Sequence, residues 1–298
     1  MLDRRHVSKM ILASAGTCLF GGQEVLAQSN GEWPERLAAS LQKLEGERGG
    51  RLGVAVIDTQ SGRRAGYRAD ERFPMCSTFK LLAAAAVLAR VDQGKEQLER
   101  RLKFATTDLV VYSPVTKDHA GGEGMTLAEI CEAAMTLSDN TAANLLLSTL
   151  GGPGGLTAYA RTLGDSATRL DRIEPDLNEA VPGDLRDTTT PAAMLSNIRA
   201  LVAGNALAPA SRDRLIGWLV GNKTGDARLR AGVPRDWRVG DKTGTGERGT
   251  ANDVAVLWPS GGRSPVFVSV YLTGSSPDGA HRNATIASVG EAVARSLG

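Results

Sequence analysis

Apolar residues recur at helical spacing over 33–47, where Leu37, Leu41 and Leu44 share one face. The stretch RLGVAVIDT (51–59) then changes to a run rich in β-branched residues, which predicts a strand. Ser61-Gly62 turns the chain into a second short strand over 63–67, so a hairpin stands near the N-terminus. From 77 to 222 the pattern reads almost entirely as helices and loops, with helices predicted over 77–91, 127–137, 141–150, 156–163, 191–201 and 211–220. Strand patterns return at 237–243, 250–258 and 266–273, with turn signals at 244–249 and 260–264, and a last helix is predicted over 282–297. Strands at both ends with helices between them imply a mixed α/β fold. One sheet is assembled from the two termini (28–75 and 222–298), and an all-helical domain (76–221) is inserted into it.

Composition adds little to this picture and excludes some functions. A chain of 298 residues, 42% hydrophobic and 23% charged, can bury a sizeable core. Net charge is +2. Removal of residues 1–27, with three basic and two acidic side chains, leaves about +1, so no electrostatic case exists for nucleic acid or an anionic membrane as partner. Residues 1–27 differ from the rest. Arg4, Arg5 and Lys9 precede a mildly apolar run, and Val25-Leu26-Ala27 offers a small-residue cleavage site. The segment reads as a cleaved export signal, twin-arginine-like or ordinarily secretory, which implies a periplasmic or secreted protein. Cys18 raises a lipid-anchored terminus as a rival, against which stands Thr17 immediately before it. No later apolar run approaches the ~20 residues needed to span a bilayer, so no stable membrane insertion is expected. Cys76 and Cys131 would then remain, read as buried free thiols.

Candidate chemistry emerges by elimination. His119 and His281 lie far apart without cysteine or carboxylate neighbours at ligand spacing, so neither a metal site nor a Ser-His-Asp triad is well supplied. Gly244-Thr-Gly246-Glu-Arg-Gly249 fits a dinucleotide fingerprint, but a strand pattern follows where a helix is required. What remains is serine chemistry without histidine. Ser77 and Lys80 stand three apart at the start of an apolar helix, on one face, where free N–H groups favour developing negative charge. Partial desolvation there would let Lys80 act as a neutral base, although a capping serine beside a solvated lysine is the plainer reading of these two residues alone. Ser138-Asp-Asn140 breaks two helical patterns, either as a turn aiming two polar groups into a cleft or as a helix N-cap. Glu174 and Asn178 sit four apart in a polar loop, where a solvated acidic residue is the plainer reading. Lys-Thr-Gly occurs twice, at 223–225 and 242–244.

Ser77-Thr-Phe-Lys80, Ser138-Asp-Asn140, Glu174-x-x-Leu-Asn178 and Lys242-Thr-Gly244 stand in the order and spacing of the class A serine β-lactamases, which this chain resembles over nearly its whole length after the signal. The resemblance implies an antiparallel five-stranded sheet flanked by helices, with the active site at its interface with the helical domain. It implies no cofactor or metal, small-molecule β-lactam substrates, a monomer, and antibiotic resistance as the outcome. Ser77 would be the nucleophile, with the N–H groups of Ser77 and Thr245 as oxyanion hole. Lys80, or Glu174 through water, would be the acylation base. Ser138 would pass a proton to the leaving nitrogen, and Glu174, with Asn178 holding a water, would drive deacylation. Asn140 would hold the substrate's side-chain amide, and Lys242, Thr243, Gly244 and Thr245 its carboxylate, with Gly244 allowing close approach. Tyr112 would wall the cleft mouth, and Arg172 with Asp187 would close the neck of an Ω loop over 172–187. Ala251 occupies a position where many members carry arginine, and Arg228 would supply that cation. Gly246 stands where some members carry a cysteine paired with the equivalent of Cys76. A D-Ala-D-Ala peptidase and a non-hydrolysing β-lactam receptor share parts of this set, but both lack the deacylating glutamate.

Overall fold

The computed structural model describes residues 33–297. The export-signal reading and Cys18 lie outside the described residues. Strands β1 (Arg51–Asp58), β2 (Arg64–Tyr67), β7 (Arg238–Gly246), β8 (Thr250–Trp258) and β9 (Val266–Thr273) form one antiparallel sheet in the order β2-β1-β9-β8-β7. The N-terminal hairpin thus joins the C-terminal strands through β1 and β9, paired from Arg51↔Thr273 to Asp58↔Val266. Two-residue strands β3 (Phe73–Pro74) and β6 (Thr188–Thr189) pair with each other, as do β4 (Arg101–Leu102) and β5 (Met125–Thr126). These four are too short to carry a periodic pattern; β4, β5 and β6 interrupt a region whose sequence predicts only helices and loops, and β3 stands just before it.

Side chains alternate across the sheet and build two cores. Leu52, Val54 and Val56 of β1, with Val268, Val270 and Leu272 of β9, meet Leu37 and Leu41 of helix α1 (Trp33–Arg48) and Ile286, Val289 and Val293 of α9 (Gly279–Ser296). The opposite face, carrying Ile57, Val254, Val256, Phe267 and Tyr271, packs against the intervening helices. At their centre stands α2 (Phe79–Asp92), buried without interruption from Phe79 to Val87 and Leu88. Around it lie α3 (Leu127–Thr136), α4 (Asn140–Leu150), α5 (Gly152–Thr162), α6 (Pro191–Val202) and α7 (Pro209–Val220). Burial of each leucine or valine of α2 contributes roughly 1.5–3 kcal/mol, which makes this helix a rigid base for whatever its N-terminus carries.

Several bounds depart from the sequence pattern: α5 begins at Gly152 and not at 156, and α9 at Gly279 and not at 282. Strand β7 continues past 243 to Gly246, because β8 offers it a full ladder as far as Gly246↔Thr250; the turn is confined to 247–249. A four-residue helix, α8 (Leu229–Gly232), interrupts the predicted loop before β7. Ser77 lies in a 3-10 turn (Cys76–Thr78) leading into α2, and not in the α-helix itself.

Candidate active site

The serine turn is fixed from the sheet. Asn252 of β8 donates its side-chain amide to Pro74 O at 2.9 Å and Met75 O at 3.0 Å, and Thr78 Oγ1 lies 3.1 Å from the Tyr271 hydroxyl. Opposite Asn252 in the ladder stands Gly244. A Cβ there would come within 2.8 Å of Met75 O and 3.2 Å of Thr78 Cγ2, so the glycine lets the edge strand lie directly against the serine turn. Lys242 and Gly244 share the sheet face with their ladder partners Val254 and Asn252, which aims Lys242 at the helices. Ser77 itself is buried to 7% exposure and reaches a cleft of about 380 Å³.

Beneath that cleft lies a buried network. Ser77 Oγ donates to Glu174 Oε1 at 3.3 Å, and Lys80 Nζ meets the same oxygen at 3.0 Å, with both ionic side chains fully buried. Lys80 also donates to Ser138 O (2.8 Å), Ser138 Oγ (3.4 Å) and Asn140 Oδ1 (2.6 Å). Lys242 Nζ donates to Ser138 Oγ at 3.1 Å. With two ammonium groups on its oxygen, the Ser138 hydroxyl has its own proton free to donate into the cleft that it lines. Ser138 takes φ +58°, and Asp139, not Ser138, caps α4 by accepting from Ala142 N. The Asn140 amide nitrogen is anchored on Val111 O at 2.8 Å.

Burial sets the electrostatics. Desolvation pushes Lys80 below its ordinary value against the opposing pull of the Glu174 carboxylate. Lys242 comes down to about 7 through burial, with the Lys80 charge and Arg228 adding to the effect and Asp241 opposing it. Both lysines are therefore more desolvated than a helix-edge or strand-end position suggests, since each is 0% exposed. Glu174 is 1% exposed, which overturns the solvated-loop reading. Its backbone is clamped by Asn144, whose Oδ1 accepts Glu174 N and whose Nδ2 donates to Glu174 O, both at 2.9 Å. Asn178 donates Nδ2 to Glu174 Oε2, while its Oδ1 is buried without a partner.

Ser77, Tyr112, Ser138, Asn140, Asn178, Arg228, Thr243, Gly244 and Thr245 all line the one cleft. Lys80, Glu174 and Lys242 stand under its floor. Arg172 and Asp187 lie apart from it at the loop neck: Arg172 Nε donates to Asp187 Oδ2 at 2.6 Å, and Asp187 Oδ1 accepts the backbone N–H groups of Asp171 (2.8 Å) and Arg172 (2.9 Å). Tyr112 is 55% exposed at the mouth. The Arg228 guanidinium donates to Gly244 O (2.8 Å), Asn252 O (2.7 Å) and Thr245 Oγ1 (2.6 Å), from behind the ladder pair Thr245↔Ala251. Cys76 and Cys131 are free and buried, and a Cβ on Gly246 would fall 2.6 Å from Cys76 Sγ.

Four residues escape the sequence reading. Thr224, in the first Lys-Thr-Gly copy, lines the cleft and hydrogen-bonds to Thr243 Oγ1, while its neighbour Lys223 is exposed. Gly225 leaves room for the Asp241 carboxylate, which a Cβ would meet at 1.9 Å. Asn144 carried a readable signal, being one helical turn beyond Asn140 on the same face of α4. Asn252 carried none, because its role arises from ladder register.

The chain matches the model of the beta-lactamase enzyme family over residues 36–297. It is 49% identical over 272 residues to beta-lactamase CTX-M-8 of Citrobacter amalonaticus, covering 91% of each chain. It is 48% identical to the carbapenem-hydrolyzing beta-lactamase KPC of Klebsiella oxytoca, over 88% of this chain and 89% of that one. Among solved structures, an ancestral (GNCA) class A beta-lactamase superposes with TM-score 0.85 at 66% identity, covering 87% of this chain and 99% of that one.

Proposed function

Since the chain belongs to the beta-lactamase enzyme family, class A, and is a serine β-lactamase, we propose that it hydrolyses penicillins and cephalosporins through an ester on Ser77, cleared by water that Glu174 activates. The observation that carries this reading is the convergence of Ser77 Oγ and Lys80 Nζ on Glu174 Oε1, beside the unpartnered Oδ1 of Asn178. In acylation Ser77 Oγ bonds to the lactam carbonyl carbon and gives its proton to Glu174, which it contacts directly, or to a neutral Lys80, whose Nζ meets the same Glu174 oxygen. The N–H groups of Ser77 and Thr245 hold the oxyanion; one such donor is commonly worth ~10²–10³ in rate. Ser138 then protonates the departing nitrogen, its hydroxyl oriented by Lys80 and Lys242. In deacylation the attacking water donates a hydrogen bond to Asn178 Oδ1 and gives its other proton to Glu174; its oxygen bonds to the ester carbon, the bond from that carbon to Ser77 Oγ breaks, and Oγ takes the proton back.

Substrate binding follows the same wall. Lys242, Thr243, Thr245 and Arg228 take the β-lactam carboxylate, Gly244 keeps the strand flush with the serine turn, Asn140 takes the side-chain amide, and Tyr112 covers the mouth. Arg172 and Asp187 hold the Ω loop closed over Glu174. We read the cleft as lying between a sheet lobe (28–75 with 222–298) and a helical lobe (76–221). We read the protein as an exported monomer that confers β-lactam resistance; no helix among the described residues is long and apolar enough to cross a membrane. The test is steady-state hydrolysis of a chromogenic cephalosporin, with a penicillin and a carbapenem beside it. Wild type turns over penicillin and cephalosporin, and Ser77→Ala does not; turnover retained in Ser77→Ala refutes the assignment.

A further inference from the structure

A second cavity lies outside the catalytic cleft. It measures about 680 Å³, within the usual ~300–1,000 Å³ of ligand sites, and shares no lining residue with the cleft. One wall is the second half of the Ω loop, where Val181 and Leu185 flank Pro182 and remain 37% and 55% exposed. Large apolar side chains left open beside a cavity favour an apolar occupant. The facing wall is cationic, formed by Arg51, Arg72 and Arg248.

The cations differ in how far they are already engaged. Arg51 donates to Glu71 and to Arg72 O and stacks over the Phe73 ring, and Arg72 donates to Ala167 O and Thr188 Oγ1. Each keeps guanidinium protons in reserve. Arg248 is held only through its backbone: its carbonyl accepts Gly274 N at 2.9 Å, its φ is +52°, and its guanidinium has no hydrogen bond or ion pair among the described residues. The single acidic lining residue, Asp184, is already neutralised by Arg186 at 2.7 Å. An apolar wall facing a net positive wall suits an amphipathic monoanion.

We propose that this cavity is a second ligand site, which takes a small organic acid with an aryl or branched alkyl body, and that its occupancy acts on deacylation. The carboxylate lies on Arg248 and Arg51, and the body lies against Val181, Pro182 and Leu185. Both walls lead to the catalytic base. The turn residue before Arg248, Glu247, donates its N–H to Asn178 O at 2.9 Å, and Asn178 in turn holds Glu174 Oε2. A ligand that moves the 247–249 turn or the 180–185 stretch therefore moves the group that positions Glu174. The effect on deacylation rests on the role proposed above for Glu174; the binding does not.

The test uses 3-phenylpropionate and its uncharged amide, titrated into the ¹⁵N-labelled protein. The acid produces saturable shifts at the Val181, Asp184, Leu185, Arg248 and Gly274 amides. Loss of one charge-assisted contact weakens binding about tenfold or more, both for the amide probe and in Arg248→Glu. A second variant, Leu185→Asp, weakens it from the apolar side, and unchanged spectra elsewhere show that each variant is folded. Equal affinity for acid and amide, or shifts confined to Ser77, Thr243 and Thr245, overturns the site. In single-turnover kinetics at saturating acid, decay of the acyl-enzyme changes while its formation does not. Unchanged decay with binding intact overturns the coupling alone.

Discussion

Replacing Asp187 with asparagine isolates one contact at the neck of the Ω loop. Asp187 is 1% exposed, and its two oxygens have separate tasks: Oδ1 accepts the backbone N–H groups of Asp171 and Arg172, and Oδ2 accepts Arg172 Nε at 2.6 Å. Asparagine keeps Oδ1 and both backbone bonds, but it turns an NH₂ toward the Arg172 N–H, so donor meets donor. A charge-assisted bond contributes about 1.5–3 kcal/mol, and breaking a buried pair from one side costs about 3–5 kcal/mol. Arg172 is 17% exposed and keeps Glu179 as a second partner, which places the loss near the lower figure, about 2–3 kcal/mol. At 1.4 kcal/mol per decade the loop opens about 30- to 140-fold more often. Native-state hydrogen exchange at the Asp171 and Arg172 amides reads this opening directly, and single-turnover kinetics reads its consequence. The variant exchanges faster at these amides and deacylates more slowly, while acylation of Ser77 continues. Unaltered exchange together with unaltered deacylation would refute the argument that this pair keeps Glu174 in place.

Three further outcomes follow from the same geometry. Burial, with the Lys80 and Arg228 charges adding, brings Lys242 down to about 7 in the free enzyme, and its proposed role at the substrate carboxylate requires the charged form. kcat/KM therefore declines as pH rises through that value, and Asp241→Asn, which removes a carboxylate that props the charge up, moves the decline to lower pH; a pH–rate profile checks both. Gly244→Ala drives a methyl against Met75 O and forces β7 away from the serine turn. Displacement of that order costs about 10²-fold in kcat/KM, with acylation the affected step. Arg228→Ala removes three donors from the wall of the carboxylate site and lowers kcat/KM, whereas unchanged affinity and turnover would refute its assignment.

The sheet was legible because 250–258 and 266–273 carry enough β-branched residues for an unambiguous period, and both strands appear with those bounds. The serine helix was legible because its apolar run is continuous. Short strands such as β3 and β6 were not, since two residues carry no period. At the site, Ser77, Lys80, Ser138 and Lys242 announced themselves as motifs, but the reason they meet did not. Asn252 reaches the serine turn through a register set by β8 and β9, and Ser138, Tyr112 and Cys76 adopt positive φ without being glycine. Tertiary contacts hold these backbones, and local sequence does not encode them. Of the two Lys-Thr-Gly copies, the second supplies the edge strand and the first supports it through Thr224 on Thr243. That hydrogen bond joins segments nineteen residues apart, beyond the reach of any local pattern.

The division of labour between the two steps is tested most directly by intact-protein mass spectrometry after mixing with a penicillin. Loss of Glu174 removes the carboxylate that opposes the fall in the Lys80 pKa, so Lys80 gives up its proton more readily and acylation survives with Lys80 as base. Deacylation loses its base, an effect commonly worth ~10²–10⁴ in rate. Glu174→Ala therefore accumulates one penicilloyl adduct, mapped to Ser77, while wild type turns over and returns to its unmodified mass. A wild-type protein that holds one adduct without turnover, or a Glu174→Ala variant that clears it at the wild-type rate, contradicts the account.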